Sequence, residues 1–177
     1  VRSTLTGVDD DDLAELDERL SDLGSPVAVV SGEASAGVAL QFVSQLGQLR
    51  PNVSLIGGSD VSVGQSLAVL DAHATLVFID LRRYERWVLD AHRVVSDRSM
   101  WSAGITDSML SPVASNADVA FVVGAVSTGP FDSYVGVLAL LNLVTTDVAA
   151  HLTESAAERL AAIEAAWTRH RSLTSGD

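Results

Sequence analysis

The sequence contains no cysteine and, among its basic residues, no lysine. Without cysteine there is no disulfide and no thiolate metal site. Without lysine there is no Schiff-base amine and no P-loop lysine to grip a nucleotide phosphate. All 11 cationic side chains are arginine, set against 23 acids for a formal net charge of −12. So acidic a segment repels a phosphate backbone, and direct DNA binding by it is not expected. Any anion site must instead be a local arginine cluster backed by helix N-termini. No apolar run reads as long enough to span a bilayer, and the N-terminus lacks the basic-then-apolar pattern of a signal peptide. The expectation is a cytoplasmic protein with no membrane contact.

What is present is a chain of 177 residues, 47% hydrophobic, enough for one domain with a sizeable core. The acids Asp9–Asp12 precede Leu13, Leu16, Leu20 and Leu23, which predicts an amphipathic helix with carboxylates at its positive end, stopped by Gly24 and Pro26. The chain opens on Val1 inside what reads as a linker, so a longer parent protein is expected. Short apolar strands are predicted at Pro26–Ser31, Val53–Ile56, Leu76–Ile79, Met100–Ile105 and Val119–Val123. Helical periodicity fills the gaps. Val38, Ala39, Phe42, Val43, Leu46 and Leu49 share one face, Val63–Leu70 is a short helix, and Tyr84, Trp87, Val88, Ala91, Val94 and Val95 form a third stripe. Ser111-Pro112 marks a helix start. Phe131–Ala150 is apolar nearly all round, and Thr153–His170 is a last helix with Leu160, Ile163, Ala166 and Trp167 on one face. Strands alternating with helices predict a three-layer, doubly wound α/β fold with a five-stranded parallel sheet. The expected divisions are a linker and lead-in helix over 1–24, the α/β domain over 25–171 and a tail over 172–177.

In such sheets ligands bind beyond the C-terminal strand ends. That rule selects the loops Ser31–Ser35, Gly57–Asp60, Asp80–Arg83, Thr106–Ser108 and Gly124–Ser133. The richest is the third, where Leu76–Ile79 ends on Asp80 and is followed by Arg82 and Arg83 at what reads as a helix start. Guanidinium groups beside free helix N–H groups suit an anion. Arg82 and Arg83 could equally be surface arginines paired with Glu85 or Asp80. Ser35 could cap a helix, bind a phosphate oxygen, or do both. Asp80 reads as support for an arginine. Glu33 could serve as a base but reads better as an exposed turn acid. Asp107 and Ser108 sit at a strand end, where an Asx turn accounts for them nearly as well. His73, His92, His151 and His170 pair with no acid or nucleophile in the pattern, so neither a triad nor a metal site is expected. Gly32–Gly37 is not G-x-G-x-x-G, which counts against a dinucleotide site using Asp60.

The segment Ile105–Asp118, ITDSMLSPVASNAD, resembles the I-T-D-S-x-x-S-P pattern of SIS (sugar isomerase) domains. The Asp80–Tyr84 turn and the Phe131–Ser133 triplet FDS resemble the subset in RpiR-type transcriptional regulators. The resemblance runs from about Leu13 to Trp167. It implies a flavodoxin-like strand order, a phosphorylated sugar effector, no cofactor, a homodimer or higher homo-oligomer, and a helix-turn-helix domain upstream. With the strand-end rule, the expectation is that Ser35, Arg82 and Arg83 hold the phosphate, while Asp107, Ser108 and Ser133 line the sugar side. The sequence departs from the family where a Ser/Thr-rich phosphate loop is usual, having Asp80-Leu81-Arg82-Arg83-Tyr84 instead, and its first loop lacks the usual second glycine. A sugar-phosphate isomerase using Glu33 and a dimerisation module without ligand are the alternatives.

Overall fold

The computed structural model describes residues 8–170. Helix α1 (Asp10–Ser21) precedes strand β1 (Val27–Ser31), a 3-10 turn (Glu33–Ser35) and helix α2 (Ala36–Leu49). Then come β2 (Val53–Ile56), α3 (Asp60–Ala68), β3 (Thr75–Ile79), α4 (Arg86–Asp97), β4 (Ser102–Thr106), α5 (Pro112–Asn116), β5 (Val119–Val122) and α6 (Val135–His170).

The five strands form one sheet in the order β2-β1-β3-β4-β5, every pair parallel. Strands β1, β3 and β4 are buried at all five positions, as the inner strands of a sheet covered on both faces must be. β2 and β5 expose part of their length, as edges do. Alternate strand residues feed two cores. Val27, Val29, Val77 and Ile79 pack with Leu16 and Leu20 of α1, Phe42 and Leu46 of α2, and Leu140 and Val144 of α6. Ala28, Val30, Leu76 and Phe78 pack with Val63 and Leu67 of α3, Val88 and Val95 of α4, and Val113 of α5. The result is the expected three-layer α/β fold with flavodoxin-like strand order. Gly104 lets α5 close on β4, since a Cβ there would stand 2.9 Å from Val113 Cγ1.

The acid run does start α1: Asp9 caps it, its Oδ1 accepting the N–H groups of Asp11 and Asp12 at 3.0 and 3.2 Å. Arg50, fully buried, ties the end of α1 to the segments leading into β1 and β2, donating to the carbonyls of Leu20 (2.5 Å), Ser25 and Pro51 (3.2 Å). Trp101 adds a second tie, donating to Glu15 at 2.7 Å beneath the Arg19 guanidinium.

Three expectations are corrected. First, the helix after β3 begins at Arg86, not at Tyr84, because Glu85 is extended (φ −79°, ψ 130°) as its N-cap; before it, Arg82 and Arg83 turn left-handed with φ of 39° and 54°. Its buried face is Val88, Ala91, His92 and Val95, while Val94 is 44% exposed. His92 lies edge-on to Phe78, ring centroids 4.5 Å apart, and burial pulls its pKa down. Second, α6 starts at Val135, leaving Phe131 outside it and exposed, and runs to His170 with a break at Thr153, where φ is 3°. Third, α6 is long and apolar enough, by length and composition, to cross a membrane. Here Val137, Leu140, Leu141, Val144 and Val148 are buried in the core shared with α1 and α2. In the distal part of α6, Leu160 and Trp167 remain exposed.

Candidate functional site

Adjacent strands β1 and β3 send their chains to opposite faces of the sheet, to α2 and α4, and the crevice between their C-terminal ends is where a doubly wound fold takes ligand. A cavity of about 410 Å³ lies there, lined by Glu33, Ala34, Asp80, Arg82, Arg83, Glu85, Pro130, Phe131, Asp132 and Tyr134. A larger groove, about 510 Å³, runs between α3 and α4; it lacks Arg82 and Arg83 and offers Asp60, Glu85 and Asp90 against Arg86. The crevice is the better anion site.

Its floor is the six-residue loop 80–85. Two consecutive non-glycine residues in the left-handed region are costly, so something must hold them. Asp107, at the end of β4, does so: its Oδ1 accepts the Arg82 N–H at 3.1 Å and the Tyr84 hydroxyl at 2.8 Å. Burial and this carboxylate both push the Tyr84 pKa up, which keeps the phenol a donor. Asp80, only 3% exposed, accepts the Glu85 N–H at 3.1 Å through Oδ2. Burial pushes its pKa up to about 7; the Glu85 N–H works against this, and the charges of Glu85 and Asp107 add to it.

Glu85 is the N-cap residue of α4, but its carboxylate does not cap the helix. It bridges instead, accepting the Glu33 N–H at 2.5 Å and the Trp87 indole N–H at 2.6 Å. Gly32 makes room for it, since a Cβ there would stand 2.7 Å from Glu85 Oε1. Opposite, Arg82 Nη1 pairs with Asp132 Oδ1 at 3.2 Å. The expected support of an arginine by Asp80 is therefore corrected: Asp132 supports Arg82, while Asp80 holds the loop backbone.

Of the residues selected from sequence, Arg82 and Arg83 line the cavity. Asp107 lies behind them and shapes their turn. Ser35 is buried and donates its hydroxyl to the Ile79 carbonyl at 3.1 Å, stitching the first loop to β3; it makes no capping bond to α2. The Ser108 hydroxyl accepts the Leu110 N–H at 3.1 Å, and the Ser133 N–H donates to the Ala125 carbonyl at 2.8 Å. Sequence reasoning missed Asp132, Tyr134 and the bridging role of Glu85. Asp132 lay inside the FDS triplet, the one signal available for it. Among the described residues, no three His, Asp or Glu side chains converge as a metal site.

The family model for the SIS domain matches residues 27–147. The fold is also similar to solved structures. The sugar isomerase domain of an RpiR transcription factor from Sphaerobacter thermophilus matches with a TM-score of 0.84 at 25% identity, over 92% of this chain and 90% of that one. The Vibrio vulnificus NanR protein, complexed with ManNAc-6P, matches with a TM-score of 0.79 at 16% identity, over 95% of this chain and 64% of that one. A Methanococcus jannaschii protein, described with an inferred 3-hexulose-6-phosphate isomerase function, matches with a TM-score of 0.62 at 15% identity, over 84% of each chain. No curated protein matches the sequence. With the family model spanning both halves of the sheet and the arginine turn between them, the chain belongs to the SIS domain family.

Proposed function

We propose that this SIS domain senses a phosphorylated sugar and serves as the effector-binding part of a transcriptional regulator. The observation that carries the reading is the pair Arg82–Arg83, held in a left-handed turn at the mouth of a crevice large enough for a sugar phosphate. A side-chain pair kept at such cost, with Asp107 enforcing it, fits a binding role better than a solvated surface. The likeness to an RpiR sugar isomerase domain supports the regulator setting, and the ManNAc-6P complex of NanR supports a phosphosugar ligand. In this reading Arg82 and Arg83 take the phosphate. Ser35 and Asp107 shape the two loops around it, and Ser108 and Ser133 steady the loops on the sugar side. The domain works in the cytoplasm as a homodimer or higher homo-oligomer, residues 25–171 forming the sensing unit. DNA is bound by another domain, since this segment carries a net charge of −12. Calorimetry with a panel of sugar phosphates tests it: at least one should bind, and Arg82→Ala should weaken that ligand by about tenfold or more. A silent panel, or an unaffected Arg82→Ala, overturns the reading.

A second reading, sugar-phosphate isomerase, is favoured by one observation. Asp80 lines the crevice with its carboxyl pushed up to about 7, the range of a working general base. It is a better nominee than the exposed Glu33. Aldose–ketose interconversion that disappears in Asp80→Asn would establish this reading over a purely sensing role.

A further inference from the structure

The crevice holds more negative than positive groups. Glu33, Asp80, Glu85 and Asp132 face only Arg82 and Arg83. Arg82 is already matched by Asp132 at 3.2 Å. A sugar phosphate with an otherwise neutral ring adds further negative charge to this cavity, in a chain that is itself strongly acidic.

Two of the carboxylates converge on one point. A Cβ on Gly32 would stand 2.7 Å from Glu85 Oε1 and 3.1 Å from Asp80 Oδ1. Glu85 is satisfied there by the Glu33 N–H and the Trp87 indole. Asp80 is satisfied only on one side: Oδ2 accepts the Glu85 N–H, and among the described hydrogen bonds Oδ1 receives no donor, although the residue is only 3% exposed. Oδ1 is not one of the fully buried polar atoms without a partner, so it opens onto the crevice, and a ligand that binds it exchanges water for a fixed donor. A hydroxyl would supply the hydrogen bond. An ammonium would supply it and offset the charge as well.

We propose, on the basis of the phosphosugar reading above, that the crevice selects an amino sugar phosphate, with its phosphate at Arg82 and Arg83 and its ammonium group donating to Asp80 Oδ1. Arrangement of the acids on the inner side and the arginines at the turn gives the ligand one orientation. An N-acetyl group removes the positive charge and adds bulk, so the acetylated sugar is disfavoured.

The test is calorimetry on the full chain, near neutral pH and at low salt, with glucose 6-phosphate, glucosamine 6-phosphate and N-acetylglucosamine 6-phosphate, and the corresponding mannose series. In at least one series the free amine should bind about tenfold tighter than the hydroxyl and acetylated compounds. Asp80→Asn should cut that advantage to under about threefold. Because Asp80 is buried and that variant can fail to fold, a second measurement uses the unaltered protein. Titration in two buffers of different ionisation enthalpy should show more proton release with the amine than with the hydroxyl compound, since the ammonium favours the charged carboxylate. Equal affinities and equal proton release, or preference for the acetylated sugars, overturn the inference while leaving phosphosugar sensing intact. Absence of binding by every sugar phosphate overturns both.

Discussion

The hydroxyl of Tyr84 donates to Asp107 Oδ1 at 2.8 Å, joining the loop after β3 to the loop after β4. The same oxygen accepts the Arg82 N–H at 3.1 Å. One carboxylate thus fixes the backbone on which both arginines stand, from a neighbouring strand. The resemblance implied a sugar-side place for Asp107; its hold on this turn was not visible in the pattern of residues.

Removing the clamp should therefore damage binding with both arginines still in place in the sequence, because the turn that presents them loosens. Asp107→Ala is expected to weaken a bound sugar phosphate by about tenfold and to lower stability by about 1–2 kcal/mol, from two lost hydrogen bonds. Tyr84→Phe, losing one, should show a smaller effect in the same direction. Calorimetry and thermal unfolding on the two variants check the order.

The left-handed backbone at Arg83, φ 54°, makes a further prediction. Glycine adopts this region without penalty, so Arg83→Gly relieves strain but adds freedom to the unfolded chain. The net expectation is a stabilisation of about 0.5–1 kcal/mol, or a rise of roughly 2 °C in Tm, together with weaker sugar phosphate binding. A fall in Tm would show that the Arg83 side chain itself holds the turn.

Asp132 holds Arg82, and in the proposed reading a ligand phosphate would have to compete with it. Both partners are partly solvated, so the pair itself is worth little to stability. Asp132→Asn should leave Tm within about 1 °C and tighten a sugar phosphate by roughly threefold. Weaker binding in this variant would mean that Asp132 orients Arg82 rather than competing for it.

Stability should fall as pH rises toward neutrality. On α1, Asp17 is 4% exposed and Oδ1 lacks a partner. Burial and the Asp147 carboxylate push its pKa up to about 7, with His151 opposing. Folded Asp17 and Asp80 therefore keep protons that the unfolded chain loses above its ordinary carboxyl pKa of about 4. Their contribution is complete below that pH and is lost progressively as the pH rises to 7. Tm should drop between about pH 4 and pH 7, and Asp17→Asn should raise it at the upper end by the equivalent of about 2 kcal/mol. A Tm independent of pH in this range would mean that Asp17 is charged in the fold.

Arg50 is a core cation whose charge is spread over backbone carbonyls. Burial pulls its pKa down and Asp22 offsets part of this. Arg50→Met fills much of the volume but leaves those carbonyls without donors. A loss of about 3 kcal/mol is expected in denaturant unfolding, with the end of α1 exchanging its amide protons faster.

The strands were legible in the sequence because inner parallel strands are short apolar runs bounded by turn residues: VAVVS and TLVFI need no tertiary information to stand out, whereas β4, expected over Met100–Ile105, forms over Ser102–Thr106. The cap at Ser111-Pro112 and the acid start of α1 were equally local, since each is a side chain bonding to backbone within three residues. The place of Arg82 and Arg83 at the crevice was also readable, because their position after a strand end follows from order along the chain. Their conformation was not. A helix start at Tyr84 fits the local periodicity, and it is overridden by bonds from Asp107, 23 residues away from Tyr84 and on another strand. Glu85 likewise reads as an ordinary helix-start acid until the fold sets Gly32 and the Glu33 N–H against it, 52 residues distant in sequence. Composition, period and caps are local and so determined the elements, while the family followed from the resemblance of Ile105–Asp118, Asp80–Tyr84 and Phe131–Ser133 taken together. The charge balance of the crevice comes from carboxylates that meet only across strand ends, and tertiary packing alone decided which of them face the cavity and which hold the backbone.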